Sequence, residues 1–290
     1  MKRAEKSIIA RAFDDHTLDE IVLVKKAIFE SVDGQEEQAF FLTALMSLLE
    51  RFSRTQKSGG WLKITDTPQV QGSFIAAYNQ QLNVMLQDIR SIKAVKKGDW
   101  KVITGDARDY QTEVGKCDAI ISFPPYLNRH DYTRVLCLEL LVGCLENYNE
   151  ITDLRHNLLR SHVEAKPRIA DPEYKMPQIL QDTLDELKMR KAENRVLYIV
   201  NGYFEDMYSV LKTSKDYLKS GGHIAFVLGN VRFSGLPILV DDIMVAVGNQ
   251  LGLEWEQTLI ARKRNNSAQQ MRDFGRDPSR ESVILWRRID

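Results

Sequence analysis

The spacing of hydrophobic and polar positions changes at about residue 95. Before that point apolar residues recur at helical intervals, and the stretches 38–52 and 73–92 predict two helices. After it, short apolar runs separated by turn residues predict strands that alternate with helices. The predicted strands are residues 100–104, 119–123, 223–228, 254–261 and 282–288. We therefore expect a helical region over 1–95 and an α/β domain over 96–290.

The function of the helical region is open at this stage. Residues 38–52 are apolar around much of the helix circumference, so this helix is predicted to be buried, either in a core of its own or against a partner. Ser58, Gly59 and Gly60 interrupt the region. The helices form either a cap or partner interface, or a structural layer.

A rigid corner is predicted directly after the strand at 119–123. Pro124 and Pro125 lack backbone N–H groups and have fixed φ angles, so they end the strand and hold Tyr126 in one direction. Asp131 then has the features of an N-cap for a helix that runs to about residue 145. An ordinary strand-to-helix turn is the alternative interpretation.

The segment from Ser122 to Arg134, SFPPYLNRHDYTR, resembles the catalytic motif of amino-directed DNA methyltransferases. These enzymes methylate the exocyclic nitrogen of cytosine or adenine, and the Ser form of the motif is usually associated with cytosine N4. The resemblance implies a class I methyltransferase-like (Rossmann-like) sheet, S-adenosylmethionine as methyl donor, double-stranded DNA as substrate and a place in restriction-modification. It also implies catalytic roles for residues at the corner, namely Ser122, Phe123, Pro124, Pro125 and Tyr126, and substrate contacts from Asn128, Arg129, Tyr132 and Arg134.

The chemistry explains why such a corner is useful. An exocyclic amine is a poor nucleophile because its lone pair is delocalised into the ring, and acceptors on its N–H bonds favour the electron-rich nitrogen of the transition state. The base must first be flipped out of the duplex and stacked. By this reasoning Tyr126 is the stacking ring, and the carbonyl of Pro124 is one acceptor.

Phe123 departs from the motif. It stands directly before Pro124, where the family has a side-chain acceptor, and the hydroxyl of Ser122 lies one residue earlier. Side chains alternate along a strand, so Ser122 is expected to point away from the side of Phe123 unless the strand bulges. Loss of one transition-state hydrogen bond costs about 1–3 kcal/mol, or a roughly 10- to 100-fold slower reaction.

One alternative to an active enzyme follows from this departure. The chain is a catalytically inactive, methyltransferase-like DNA-binding or accessory subunit if the Phe123 ring fills the base pocket. Methylation of a protein or RNA amide by the same chemistry is a third hypothesis, which the extended motif disfavours.

Further candidates follow the predicted strands. By the resemblance, Asp106, after the strand at 100–104, faces the adenine of S-adenosylmethionine; a plain turn is the alternative. Asn230 and Arg232, after the strand at 223–228, either line the base pocket or form a packing turn.

Two polar segments are predicted to contact DNA. The long basic connection between the last two strands contains cations and amides that can bind phosphates and base edges, and its candidates are Arg264, Gln269, Gln270 and Arg272. The charged insertion over 146–195 is the second, with Arg155, His156, Arg160, His162, Lys166 and Arg168. A solvated loop and a solvated helical arm are the respective alternatives.

A Gly-rich turn after an apolar strand, where this fold brings the methyl donor close to the backbone, is not found in the sequence. We therefore expect the sheet to be incomplete and a second polypeptide to supply the cofactor-binding strands of a split enzyme. The resemblance covers roughly residues 98–290, and a weaker resemblance extends into the helices before them.

Composition limits the remaining classes. The formal net charge is zero, so DNA contacts must come from local patches. The three cysteines form no close pair, which favours a reducing cytoplasm and predicts neither a disulfide framework nor a metal site. No apolar run is long enough to predict a membrane span.

Overall fold

The computed structural model describes residues 3–92, 98–111, 115–128, 130–145, 147–162, 164–264 and 278–290. Its helices are α1 (Arg3–Ala12), α2 (Asp15–Ser31), α3 (Gln35–Phe52), α4 (Phe74–Ser91), α5 (Tyr132–Val135), α6 (Cys137–Glu139), α7 (Tyr148–Asn157), α8 (Gln178–Met189), α9 (Asn194–Asp216) and α10 (Val240–Gln250), with a π-helical turn at Leu140–Cys144. Its strands are β1 (Thr55–Ser58), β2 (Trp61–Ile64), β3 (Cys117–Ser122), β4 (Leu218–Gly229), β5 (Val231–Phe233), β6 (Leu236–Ile238), β7 (Leu253–Arg264) and β8 (Ser279–Arg288).

The chain forms two compact units. Unit 1 contains Met1–Lys101 and Asp131–Arg155, and unit 2 contains Val102–His130 and His156–Asp290. The motif SFPPYLNRHDYTR is therefore divided after His130, with the proline corner in unit 2 and the segment from Asp131 in unit 1.

Unit 1 is mainly helical, and two of its helices agree closely with the predicted ones. Helix α3 buries Leu45 and Leu49, and at its end Phe52 meets Phe74 of α4 edge to face at 5.2 Å. Ser73 caps α4 by accepting the N–H of Ala76. The predicted interruption near residue 59 is the turn of a hairpin between β1 and β2.

The helix predicted from Asp131 to about residue 145 is only partly confirmed. Asp131 is the N-cap of α5, and its Oδ1 accepts the N–H of Thr133 at 2.9 Å. The chain then continues as α6 and the π-helical turn, so three short segments replace one regular helix.

Unit 2 is built on a mixed sheet with the strand order β3-β4-β8-β7. Strand β4 runs parallel to β3, and β8 runs antiparallel to both of its neighbours, β4 and β7. Helices α9 and α10 pack on one face, where Phe226 and Trp286 meet edge to face at 5.9 Å. This mixed α/β arrangement is consistent with a methyltransferase fold.

Two predicted boundaries were wrong in unit 2. Residues 100–104 form no strand, because no described strand pairs with them. The sequence pattern also predicts a helix over 211–218 that is ended by Lys219, Ser220, Gly221 and Gly222, but α9 ends at Asp216 and these four residues lie inside β4. Gly222 belongs there because a Cβ would lie 2.9 Å from the carbonyl oxygen of Asp118, so only glycine lets β3 approach this closely.

No helix within the described ranges is long and apolar enough to cross a membrane.

A buried charge network ties the segment before β3 to α9. Asp206 of α9 is 3% exposed and accepts hydrogen bonds from Arg160, at 2.7 Å from Nη2, and from Arg108, at 3.3 Å from Nη1. Both arginine side chains are buried as well. Buried guanidinium groups need such compensation because the charges have left water.

Replacing Asp206 with Asn is expected to destabilise the protein by about 3–5 kcal/mol, because two buried guanidinium groups lose their shared counter-charge. The free energy of unfolding in urea measures this. The matched control is Asp185→Asn, which removes an exposed carboxylate paired with Lys188 and should leave that free energy unchanged. Equal effects of both substitutions would contradict the assignment.

Candidate active site

The proline corner lies at the end of β3, beside the end of β4. Ser122, the last residue of β3, pairs with Phe226 of β4. Pro124 is buried, and Leu127 is fully buried in the core of unit 2. The N–H of Asn128 donates to the carbonyl of Tyr126 at 2.7 Å, so the chain turns tightly around Leu127. The predicted corner is therefore an anchored turn and not a free loop.

The Tyr126 side chain is half-buried and reaches across the end of the sheet. Its hydroxyl donates to Oε2 of Glu281 at 3.0 Å. Glu281 is 6% exposed and lies on β8 opposite Gly229 of β4. Arg262 of β7, opposite Glu281, donates to the same carboxylate at 2.7 Å from Nε. The Glu281 carboxylate of β8 thus joins β7 and the corner through hydrogen bonds.

Phe123 points away from the body of unit 2. Ile120 packs against the core, whereas Ile121 is 77% exposed, so side chains alternate along β3 as expected. Phe123 continues the outward side with 69% exposure, and Ser122 is half-buried. The Phe123 ring therefore packs little against the described residues. Whether it blocks catalysis stays a prediction.

Asn230 connects the end of β4 to α10. Its N–H donates to the carbonyl of Arg280 at 2.9 Å, and its Oδ1 accepts the N–H of Asp241 at 3.2 Å. Asp241 is fully buried; burial acts to raise its pKa, but hydrogen bonds from Arg280, Ser282 and Asn230 outweigh this and lower the pKa. These contacts agree with the alternative interpretation, in which Asn230 forms a packing turn.

Arg232, the second candidate after β4, lies in the β5–β6 hairpin opposite Pro237 and is half-buried. The structure therefore places it on a different element from Asn230, which directly follows β4.

Asp106 is held by two arginines. Arg108 donates to it from Nη2 at 2.6 Å and Arg168 from Nη1 at 2.9 Å. Burial acts to raise the pKa of Asp106, but these hydrogen bonds and charges prevail and lower it to about 2. Both carboxylate oxygens already accept hydrogen bonds within unit 2. A nucleoside would therefore have to share this carboxylate with the arginines.

Three of the predicted DNA-facing cations of the insertion are paired with carboxylates. Arg155 pairs with Asp131 at 2.9 Å, Arg160 is buried against Asp206, and Arg168 pairs with Asp106. The sequence alone does not reveal these pairs, because the partner carboxylates lie between 24 and 62 residues away along the chain. The predicted phosphate-binding role is therefore not supported for these three arginines.

The remaining substrate candidates are spread over both units. Asn128 is exposed, and its Oδ1 accepts the N–H of His130 at 3.0 Å. In unit 1, Tyr132 is 44% exposed, and Arg134 contacts Asp131 at 3.1 Å and lies over the Trp61 ring, 4.7 Å from its centroid.

Several predicted DNA contacts lie outside the described residues, namely Arg129, Gln269, Gln270 and Arg272. Arg264 is the last residue of β7, and its side chain also falls outside the description.

Glu281 and Arg262 were missed as a site pair. In the sequence, Arg262 and Arg280 fall in the basic connection between the predicted strands 254–261 and 282–288. In the structure both lie in strands, and both are paired with acids. The available signal was the polar run Arg280, Glu281, Ser282 at the start of an otherwise apolar strand. Strand pairing was needed to show which residue each one meets.

Within the described ranges, no group of three or more histidine, cysteine or acidic side chains has an arrangement that could bind a metal ion.

The charge network at Asp106 predicts a pH dependence. The lowered pKa means that ionised Asp106 stabilises the folded state above its usual value of 3.8, and this contribution is lost as the pH falls towards about 2. The free energy of unfolding of the native protein should therefore exceed that of Asp106→Asn at pH 5 and converge with it near pH 2.

The control is Asp109→Asn, because Asp109 also contacts Arg168 but is mostly exposed. Its effect on the free energy of unfolding should be small at pH 5. A constant difference between the native protein and Asp106→Asn across this pH range would contradict the ion-pair assignment.

The chain is similar in sequence to two Type II methyltransferases. It is 30% identical to Type II methyltransferase M.AvaI of Nostoc sp. over 285 aligned residues, which cover 84% of this chain and 58% of the relative. It is 24% identical to Type II methyltransferase M.BsoBI of Geobacillus stearothermophilus over 333 aligned residues, which cover 97% of this chain and 65% of the relative. No family model and no solved structure matches. The chain thus spans less than two thirds of the curated methyltransferases to which it is similar.

Proposed function

We propose that the chain is the catalytic part of a site-specific DNA amino-methyltransferase that acts in the cytoplasm as part of a restriction-modification system. The methyl group of S-adenosylmethionine is transferred to an exocyclic amino group, cytosine N4 being favoured over adenine N6 by the serine in the motif. The observation that carries the proposal is the anchored Pro124, Pro125, Tyr126 corner at the joint end of two parallel strands. Similarity to two Type II methyltransferases supports it.

The chemistry assigned to this chain is positioning and hydrogen bonding. S-adenosylmethionine supplies an electrophilic methyl group. Tyr126 offers an aromatic face for a base flipped out of double-stranded DNA. The backbone carbonyl of Pro124 accepts one N–H of the target amine, which increases electron density on the nitrogen as it attacks. The S–C bond to the methyl group would break as the N–C bond forms, which would leave a neutral thioether, and the methylated amine would then lose one proton, so that atoms and charge balance.

Recognition of the DNA site is assigned to the connection between β7 and β8. Arg264 and Arg272 are proposed to contact phosphates, and Gln269 and Gln270 to read base edges. The substrate candidates kept are four residues of the motif, Asn128, Arg129, Tyr132 and Arg134, and two that follow β4 in the sequence, Asn230 and Arg232. This assignment rests on residue chemistry and on the resemblance of the segment.

We further propose that a second polypeptide with the Gly-rich cofactor motif completes the methyl-donor site. Strand β3 pairs with β4 on one side and lies at the edge of the described sheet. Its outward side chains Ile121 and Phe123 are strongly exposed, and Val102, before β3, is 79% exposed. An apolar edge strand of this kind favours pairing with another chain.

Single-molecule sequencing for modified bases tests the main proposal. DNA from cells that express the chain together with its flanking genes should contain N4-methylcytosine or N6-methyladenine at one recurrent sequence, and cells without the chain should lack this mark. Absence of any new mark would contradict the proposed activity.

Calorimetry with S-adenosylmethionine tests the split arrangement. The isolated chain is expected to bind the methyl donor at least about tenfold more weakly than its complex with the partner, because Asp106 alone offers few contacts and is already held by two arginines. Equally tight binding by the isolated chain would contradict the need for a second polypeptide.

Substitutions of Phe123 distinguish the active-enzyme proposal from the inactive-subunit alternative. Phe123→Ser places a hydroxyl directly before Pro124 and is expected to raise the methylation rate about 10- to 100-fold if one acceptor is missing in the native protein. Phe123→Ala is the matched control, since it removes the ring without adding an acceptor. Activity that is absent in the native complex and appears in Phe123→Ser favours the inactive-subunit alternative.

A further inference from the structure

The carboxylate of Glu281 is a buried acid at the proposed active site to which the motif assigns no role. Its side chain is almost inaccessible, yet it lies at the end of the sheet near the proline corner and not in the apolar core. A buried carboxylate is costly unless its oxygens are satisfied. Here the hydroxyl of Tyr126 donates to Oε2, and the guanidinium of Arg262 donates to Oε1 at 2.7 Å and Oε2 at 3.2 Å.

The direction of Glu281 follows from the strand that carries it. Its neighbours Arg280 and Ser282 both reach Asp241 at the start of α10, on the helix-covered face. Because successive side chains of a strand point to opposite faces, Glu281 is turned to the other face. The Tyr126 ring meets it there. Along β8, Arg280 and Ser282 therefore contact α10 on one face of the sheet, whereas Glu281 contacts Tyr126 on the other face.

Tyr126 is consequently fixed at both ends. At the backbone, the buried Pro124 and Leu127 and the Asn128 hydrogen bond hold the turn. At the tip of the ring, Glu281 accepts the hydroxyl hydrogen bond, and Arg262 in turn orients Glu281. A ring held in this way does not have to lose rotational freedom when a base stacks on it.

We propose that Glu281 is a positioning residue that sets the plane of the Tyr126 ring for stacking with the flipped base, and that Arg262 fixes the Glu281 carboxylate. This inference rests on the proposed methyltransferase function and deepens it. A stacked base places its amino group relative to the Pro124 carbonyl, so the orientation of the ring controls the reaction rate more than the affinity for DNA.

Tyr126→Phe is the cleanest test because it keeps the aromatic face and removes only the hydroxyl, while Glu281 retains Arg262. In the complete complex, with DNA that carries the sequence identified by modified-base sequencing, we expect a roughly tenfold lower kcat. The KM for DNA should change less than about twofold, because the ring still stacks. The thermal unfolding midpoint should stay within about 2 °C of the native value.

A double-mutant cycle tests the link to Glu281. Glu281→Gln alone is expected to lower kcat about as much as Tyr126→Phe. The double variant should be no slower than either single variant, because both substitutions disrupt the same contact between Tyr126 and Glu281. Additive losses would overturn the proposed link.

Arg262 and its neighbour Lys263 form a matched pair for the third arm. Both are exposed cations in β7, but Arg262 contacts Glu281. Arg262→Met should lower kcat about three- to tenfold, whereas Lys263→Met, which removes the same charge one residue further along the strand, should leave kcat unchanged. Equal effects of the two variants would show that charge alone matters and would overturn the positioning role.

These experiments distinguish a failure of the positioning role of Glu281 from a failure of the proposed methyltransferase function. If the native complex methylates DNA but Tyr126→Phe and Glu281→Gln retain its kcat, the positioning role is wrong and the proposed function stands. A fall of the unfolding midpoint with an unchanged kcat of the folded enzyme also overturns the inference, since it assigns Glu281 a purely structural role. If the native complex transfers no methyl group, both proposals fail together.

Discussion

The parallel ladder between β3 and β4 is the constraint on which the candidate site depends. Because the two strands are parallel, their carboxyl ends lie at the same end of the sheet, and the corner after Ser122 and the turn after Gly229 are both found there. Strand β8 runs antiparallel to β4 and begins at this end, where Glu281 pairs with Gly229. The Tyr126 hydroxyl meets Glu281 because of this strand order. Without the ladder, the corner would be a proline-rich turn with no fixed direction.

A second requirement is that buried charges within unit 2 are compensated in place. Asp206 serves Arg108 and Arg160 together, and Asp106 binds Arg108 and Arg168. These arginines come from segments that lack regular structure around them, so the pairs hold those segments on the α9 surface. The positive charge of these arginines is neutralised within unit 2. Over the whole chain the positive and negative charges also cancel, because the formal net charge is zero. The proposed DNA binding would then depend on a few local cations, and would weaken at high salt in proportion to their number.

The two faces and the edge of the sheet have different characters. On one face α9 and α10 bury Phe226 and Trp286, and the polar start of β8 is tied to α10 through Asp241. On the other face, Ile121 at the end of β3 and Phe123 after it are exposed, and Glu281 of β8 contacts Tyr126. An apolar edge next to a preorganised aromatic ring suits a site that is completed by further sequence. The proposed second polypeptide would bury these side chains and bring the methyl donor to the ring.

By itself, the amino-acid sequence determined the helices α3 and α4, the strands β3, β4, β7 and β8 to within several residues, and the corner at Pro124, because periodicity and proline chemistry act locally. Only the tertiary structure decided that residues 100–104 form no strand, since a strand needs a partner that local sequence does not name. It also paired Arg160 with Asp206 and Tyr126 with Glu281, residues 46 and 155 positions apart. Such contacts depend on strand register and helix placement, and a shift of one residue in β8 would turn Glu281 to the opposite face.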